Sequence, residues 1–110
     1  MKIIRKSQVV FVDDKIEKQF NELSPDNEIK KWIRRAIEDI KQNAFCAIPV
    51  PKRIIPQEYI QKYGVTNLWK YDLPDGWRLV YSITTPNKVE IISVILEWFD
   101  HKGYERKFNY

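Results

Sequence analysis

The sequence predicts an α+β fold with the element order β-α-α-β-β-β and a short C-terminal helix. Two stretches with helical periodicity follow a first strand, three β-like runs occupy the C-terminal half, and no linker interrupts the chain. With 110 residues, 44% of them apolar, residues 1–110 are expected to form one domain with its own core. The two main helices should pack on one face of a small antiparallel sheet.

The first strand and helix are predicted from a change of pattern near residue 13. Residues 8–12 are short, apolar and rich in β-branched side chains, which is typical of a strand. Asp14 and Glu17 have the spacing of a capping box and indicate a helix start. One helical stripe follows, made of Ile16, Phe20 and Leu23.

A long amphipathic helix is expected next, because Ser24 can serve as N-cap and Pro25 suits the first helical position. Its apolar stripe comprises Ile29, Trp32, Ile33, Ala36, Ile37 and Ile40. The opposite face is predicted to carry Lys30, Lys31, Arg34, Arg35 and Lys41. Core packing accounts for the stripe, and the basic face is expected to meet solvent or a partner.

The C-terminal half reads as a short helix followed by an antiparallel meander. Pro56 begins the helix and Gly64 is placed to end it. Strands are predicted over residues 68–73, 77–84 and 89–99, with turns between them. A short terminal helix, weakened by a glycine, should close the chain.

Strand alternation separates the hairpin side chains into two faces. The face expected to pack holds Trp69, Tyr71, Leu73, Trp77, Leu79, Tyr81 and Ile83, whereas the face expected to be polar holds Lys70, Asp72, Arg78 and Ser82. If residues 74–76 form the turn, Asp72 lies opposite Arg78 with Lys70 one step along. The sequence therefore predicts a basic site on an exposed sheet face.

The distribution of charge leaves two interpretations open, a polyanion-binding surface and an ordinary solvated one. The formal net charge is +4 and the pI about 9.2, and residues 29–62 hold eight basic side chains, Lys52 and Arg53 among them, against three acidic ones. A solvated helix face followed by a basic loop is the plain alternative. The N-terminus lacks signal-peptide character and no apolar run approaches the ~20 residues of a membrane span, so a cytoplasmic protein without membrane contact is expected.

Several chemistries are excluded by composition. One His and one Cys cannot close a zinc site, and no glycine-rich phosphate loop is present, so no metal or cofactor is implied. Lys70, Arg78, His101, Lys102 and Tyr104 remain, and these residue types suit RNA cleavage by the adjacent ribose hydroxyl. For each residue an ordinary structural role is the alternative.

The segments NLWKYDLPDGWRLVYSI and VEIISVILEWFDHKGYERKF resemble the RelE/ParE superfamily of type II toxins. The carrying motifs are Arg78-Leu79-Val80-Tyr81 and the terminal His101 to Tyr104. The resemblance implies a RelE-like fold and a ribosome-associated mRNA endonuclease. It assigns Arg78 to the scissile phosphate, Lys70 to added charge, and His101 with Tyr104 to proton transfer or stacking. Lys102 is a further candidate for RNA contact, together with Lys52 and Arg53.

The resemblance also implies partners. A cognate antitoxin is expected on the basic surface, and mRNA and the ribosome are the expected targets. Separately, an exposed apolar patch could self-associate when the antitoxin is absent, which leaves a homodimer in isolation open. Two other functions stay open: a ParE-like inhibitor of DNA gyrase, and a non-catalytic binding module that retains the fold.

Overall fold

The computed structural model describes residues 5–87 and 89–108. This part of the chain contains strands β1 (Gln8–Phe11), β2 (Ile48–Pro49), β3 (Trp69–Asp72), β4 (Arg78–Thr84) and β5 (Ile92–Phe99), and helices α1 (Asp14–Glu22), α2 (Glu28–Gln42), α3 (Gln57–Tyr63) and α4 (His101–Phe108). Two single 3-10 turns occur at Lys52–Ile54 and Pro74–Gly76. Among these residues no helix has both the length and the apolar character needed to cross a membrane.

The strands form one five-stranded sheet in the order β1-β5-β4-β3-β2. The α+β class is confirmed, but the expectation of an all-antiparallel sheet is wrong, because β1 runs parallel to β5. The helices and the hairpin between these two strands carry the chain across the sheet and bring β5 in alongside β1 in the same direction. The edge strand β2 was not predicted, since two residues are too short to show a strand periodicity.

Local signals at helix ends are partly confirmed. The cap of α1 is Asp13 rather than Asp14, because Asp13 Oδ1 accepts the N–H of Ile16 at 2.9 Å. The predicted start of α2 is wrong by three residues: Asn27 is the N-cap, and its Oδ1 accepts the N–H of Ile29 at 2.8 Å. Gly64 ends α3 in the left-handed conformation, as predicted, with φ of 65°.

Both faces of the sheet are covered, which corrects the expectation of a polar face. Helices α1 and α2 pack on the first face, around a cluster that includes Phe20, Ile33, Ala36, Ile40, Leu79, Tyr81 and Ile95. Helices α3 and α4 cover the second face with Tyr59, Tyr104 and Phe108, over Val80 and Leu96. Helices α3 and α4 have seven and eight residues, too few to show a convincing apolar stripe in the sequence.

A β-bulge in β5 sets up the second core. Val80 pairs with Glu97 whereas Tyr81 pairs with Ile95, so one extra residue lies in β5. As a result Leu96 and Glu97 both lie on the second face: Leu96 is in its core, and Glu97 Oε1 accepts the hydroxyl of Tyr59 at 2.7 Å. The bulge thereby places a carboxylate between α3 and α4.

The basic face of α2 is smaller than predicted, because Lys30 is 7% exposed. Its ammonium donates to the carbonyl of Leu23 at 2.9 Å and of Asn21 at 3.4 Å, and lies 5.3 Å from the centre of the Phe20 ring. Lys30 thus satisfies carbonyls at the end of α1. The exposed basic residues of α2 are Lys31, Arg34, Arg35 and Lys41.

Candidate functional site

The candidate site lies on the second face of the sheet, at the turn end of the β3–β4 hairpin. Asp72 pairs with Arg78 across the two strands, as the sequence predicted, and Lys70 is two residues away on the same face. Tyr104 of α4 lies against both cations. We call Lys70, Asp72, Arg78 and Tyr104 the cationic cluster.

Arg78 is held from two sides. Its Nε lies 3.0 Å from Asp72 Oδ1, while Nη1 donates to the carbonyl of Gly76 at 2.6 Å. Nε is buried and finds no acceptor with hydrogen-bond geometry among the described residues, so the contact with Asp72 is an ion pair without an aligned hydrogen bond. The side chain keeps 19% of its surface exposed. A bidentate anion could therefore offer Arg78 better geometry than Asp72 does.

Lys70 is the second cation that pairs with the Asp72 carboxylate. Its ammonium lies 3.7 Å from the same Asp72 oxygen, and its side chain is 22% exposed. One half-exposed carboxylate is thus shared by two cations. The cluster carries a net positive charge on a partly desolvated surface, which is the setting in which an anion is bound most effectively.

The aromatic ring of Tyr104 packs against the side chains of Lys70 and Arg78. The ring centre lies 5.8 Å from Lys70 Nζ and 5.5 Å from Arg78 Cζ, distances at which a cation is attracted to an aromatic face. The ring stacks on Phe108 with a centroid distance of 4.3 Å, and the residue is 4% exposed. The sequence predicted a role in proton transfer or base stacking, but the burial of the ring leaves no face for a base.

His101 lies beside the cluster at the first turn of α4. Its side chain is 60% exposed, and Nε2 lies 2.5 Å from Oε1 of Glu105. A Cβ placed on Gly76 would lie 3.2 Å from the Cβ of His101, so the hairpin turn and the start of α4 touch. Gly76 thus lies next to His101, and its carbonyl accepts a hydrogen bond from Arg78 Nη1.

Gly76 and Glu105 were missed by the sequence reasoning. A glycine after Asp75 in a tight turn is explained by backbone geometry alone, since both residues have positive φ here, 57° and 79°. The i,i+4 spacing of His101 and Glu105 was the available signal for their pairing.

The three predicted RNA-binding residues are not part of the cluster. Lys102 is exposed on α4, and Lys52 and Arg53 are exposed in the turn after β2. No hydrogen bond or ion pair within the described residues joins any of them to Lys70 or Arg78. They are available for an extended ligand but do not build the site itself.

Comparisons of the chain with protein-family models, with curated proteins and with solved structures give no match. The RelE/ParE resemblance therefore stays a prediction from the motif residues.

Proposed function

We propose that this protein is a RelE/ParE-type toxin that cleaves mRNA, with the cationic cluster and His101 as its active site. The observation that carries the proposal is the convergence of two cations and an exposed histidine at one end of the β3–β4 hairpin. Lys70 and Arg78 share one carboxylate, and the Gly76 turn joins Arg78 to His101.

The phosphate-binding step rests on Arg78 and Lys70. A phosphate that displaces Asp72 would gain a bidentate contact with the guanidinium and a point charge from the ammonium. Fixed positive charge at this position would also stabilise the more highly charged phosphorane-like transition state. In this proposal Asp72 occupies the two cations in the absence of RNA and is released on binding.

The chemical step is transesterification within the RNA. When Nε2 of the unprotonated ring donates to Glu105, Nδ1 is the nitrogen left to accept a proton. Nδ1 takes the proton of the ribose 2′-hydroxyl, and the 2′-oxygen attacks phosphorus. The bond to the 5′-oxygen breaks, and that oxygen leaves with a proton from the Lys70 ammonium. The products are a 2′,3′-cyclic phosphate and a free 5′-hydroxyl.

Tyr104 is assigned a positioning role in this scheme. Its buried ring orients Lys70 and Arg78 toward the side on which the phosphate would bind. Glu105 acts in the same way on His101, since it fixes the ring that exchanges the proton.

The partner surface we propose is the exposed basic face of α2. Lys31, Arg34 and Arg35 lie on consecutive turns of this helix and are exposed. An acidic segment of an antitoxin would complement them, and the same face would suit ribosomal RNA once the antitoxin is released.

A second candidate is a non-catalytic binding module. The observation that favours it is the same shared carboxylate, because Asp72 lies within ion-pair distance of both cations. A module of this kind would bind its partner through α2 and leave RNA intact.

The test is induced expression in bacteria, with growth and mRNA integrity as readouts. Wild type is compared with the double variant Arg78→Ala, His101→Ala and with Lys18→Ala, an exposed α1 lysine outside the site. Growth arrest with fragmented mRNA in wild type and Lys18→Ala, but not in the double variant, supports the nuclease. Arrest with intact mRNA points to gyrase and overturns it, and absence of arrest favours the binding module.

A further inference from the structure

We infer that a cavity on the outer edge of β3 binds one unpaired nucleobase of the RNA whose phosphate the cationic cluster holds. The inference rests on the proposed function and adds to it a base subsite and a preference for single strands. Three features carry it: the cavity, an open stretch of strand edge within it, and two residues shared with the cationic cluster.

The cavity lies between the end of α2 and β3 and has a volume of about 460 Å³. This is within the range of about 300 to 1,000 Å³ typical of small-ligand sites. Its lining is mixed: Ala47 and Ile48 contribute apolar surface, while Asp39, Gln42 and Tyr71 contribute polar groups, and the Tyr71 hydroxyl donates to Asp39. A wall with both apolar and polar groups suits a nucleobase, which has apolar ring faces and hydrogen-bonding edges.

The strand edge inside the cavity is open at Asp72. Leu73 donates to the carbonyl of Trp77, so residues 73 and 77 form a hydrogen-bonded pair and Asp72 with Arg78 a non-bonded one. The N–H and C=O of Asp72 therefore face away from β4, toward β2.

On that side the pairing stops one step short. Ile48 pairs with Lys70, so Cys46 would be the next partner, opposite Asp72. Cys46 lies outside β2, and its N–H is donated instead to the carbonyl of Asn43 at 3.1 Å. The β2–β3 pairing ends at Ile48 and Lys70, and none of the backbone hydrogen bonds outside the helices and strands of the described residues engages the N–H or C=O of Asp72.

An adjacent donor and acceptor of this kind match the Watson–Crick edge of a nucleobase. Every base presents a neighbouring acceptor and donor there, and single-stranded RNA leaves that edge free. A duplex does not, because its own pairing uses the same atoms. An added peptide strand fits less well, since β2 already occupies the edge beyond Lys70 and one residue is left for pairing.

The subsite and the cationic cluster belong to one nucleotide-sized region. Lys70 and Asp72 line the cavity, and the Asp72 carboxylate lies 3.7 Å from Lys70 Nζ and 3.0 Å from Arg78 Nε. The backbone of Asp72 would hold the base at the sheet edge, while the cations on the second face would hold the phosphate. Asp72 then contributes to the site by its main chain rather than by its carboxylate.

The experiment measures binding of fluorescein-labelled 2′-O-methyl hexauridylate, which cannot be cleaved, and of the same hexamer lacking its bases. Asp72→Pro removes the N–H of an outward-facing edge residue, which a strand edge tolerates. Asp72→Ala is its matched control, because both variants lose the carboxylate and only one loses the N–H. Gln42→Trp, at an exposed position, fills the cavity from the other side.

We expect wild type and Asp72→Ala to bind the base-bearing hexamer about tenfold more tightly than the abasic one. In Asp72→Pro and Gln42→Trp the two hexamers should bind with equal affinity. The affinity for the abasic hexamer should be the same in Asp72→Pro as in Asp72→Ala, and the same in Gln42→Trp as in wild type. Placing the six uridines in the stem of a 2′-O-methyl hairpin closed by G·C pairs should also abolish the difference.

The base subsite would be overturned if the ratio of the affinities for the two hexamers were equal in Asp72→Pro and Asp72→Ala and if Gln42→Trp behaved like wild type. The open strand edge would then be better explained as a binding site for a peptide. Wild type that binds neither hexamer, or binds without salt dependence, would instead overturn the proposed function. The abasic hexamer therefore separates the two failures, because it reports on the phosphate alone.

Discussion

Asp72 and Arg78 face each other across β3 and β4, with 3.0 Å between Oδ1 and Nε, and Lys70 lies 3.7 Å from the same oxygen. One carboxylate thus serves two cations, one of which has no aligned hydrogen bond at Nε. When no other anion is bound, the Asp72 carboxylate partly neutralises the positive charge of Lys70 and Arg78.

Asp72→Asn should therefore strengthen RNA binding. The side chain keeps its shape while the competing charge is lost, so the affinity for 2′-O-methyl hexauridylate should rise about fivefold at low salt, and less at high salt. Fluorescence anisotropy over a salt series checks this. Glu22→Gln on α1 changes the net charge equally and should have little effect; weaker binding by Asp72→Asn would show that the carboxylate contacts RNA productively.

Tyr104→Phe tests whether this residue positions the cations or transfers a proton. Phenylalanine keeps the stack on Phe108 and the ring under Lys70 and Arg78, so RNA cleavage should stay close to wild type. Tyr104→Leu loses the ring and should cost about 2 kcal/mol of unfolding free energy. Cleavage kinetics and urea unfolding are the measurements. A folded but inactive Tyr104→Phe would restore the hydroxyl to the proton-transfer role that the sequence predicted.

Gly76→Ala should impair both folding and cleavage. Gly76 has φ of 79°, and an added Cβ would lie 3.2 Å from the Cβ of His101, so the turn or the histidine must shift by a few tenths of an ångström. We expect a loss of about 1 to 2 kcal/mol in stability and a clear fall in the cleavage rate. Gly64→Ala is the control: its φ is 65° but the space around it is open. Equal cleavage rates for Gly76→Ala and Gly64→Ala would show that the position of His101 does not affect the reaction.

Lys30→Met should destabilise the protein although the residue is a lysine on a helix. The two carbonyls at the end of α1 lose their donor, which should cost about 1 to 3 kcal/mol. Lys31→Met, one residue along and exposed, should change stability by less than about 0.5 kcal/mol. Urea unfolding compares them, and equal effects would mean that the buried ammonium contributes little.

Stability should fall in the alkaline range. Burial raises the pKa of Tyr59 and Tyr81, with hydrogen bonding to Glu97 adding to the effect for Tyr59. The folded state thus holds protons that the unfolded chain releases near pH 10, so stability is complete below about pH 10 and declines above it. Tyr59→Phe should make this decline shallower by about 1 kcal/mol per pH unit, as measured by urea unfolding at about pH 9 and about pH 11. Parallel declines in wild type and variant would contradict the assignment to Tyr59.

Local features of the fold were predictable because neighbouring residues decide them. The apolar stripe of α2, the end of α3 at Gly64 and the register of Asp72 against Arg78 each follow from spacing over a few residues. The start of α2 was misplaced because Ser24 and Asn27 are both good caps, and only the chain path selects Asn27.

The candidate site was predicted as a set of residues but not as an arrangement. Lys70, Arg78 and His101 were identified by type, whereas the contact of Gly76 with His101 joins positions far apart in the chain. The cavity at Asp72 depends on where β2 stops, and a two-residue strand leaves no periodic signal.

By itself the sequence determined the α+β class, the main helix, the hairpin and its cross-strand ion pair, because period, caps and turn residues act within a few positions. Tertiary structure alone decided that β1 runs parallel to β5, that α3 and α4 cover the second face, and that Tyr104 lies beneath the cations. These outcomes depend on which surfaces bury each other. Apolar burial has no direction along the chain, so its partners are set only when the whole domain packs.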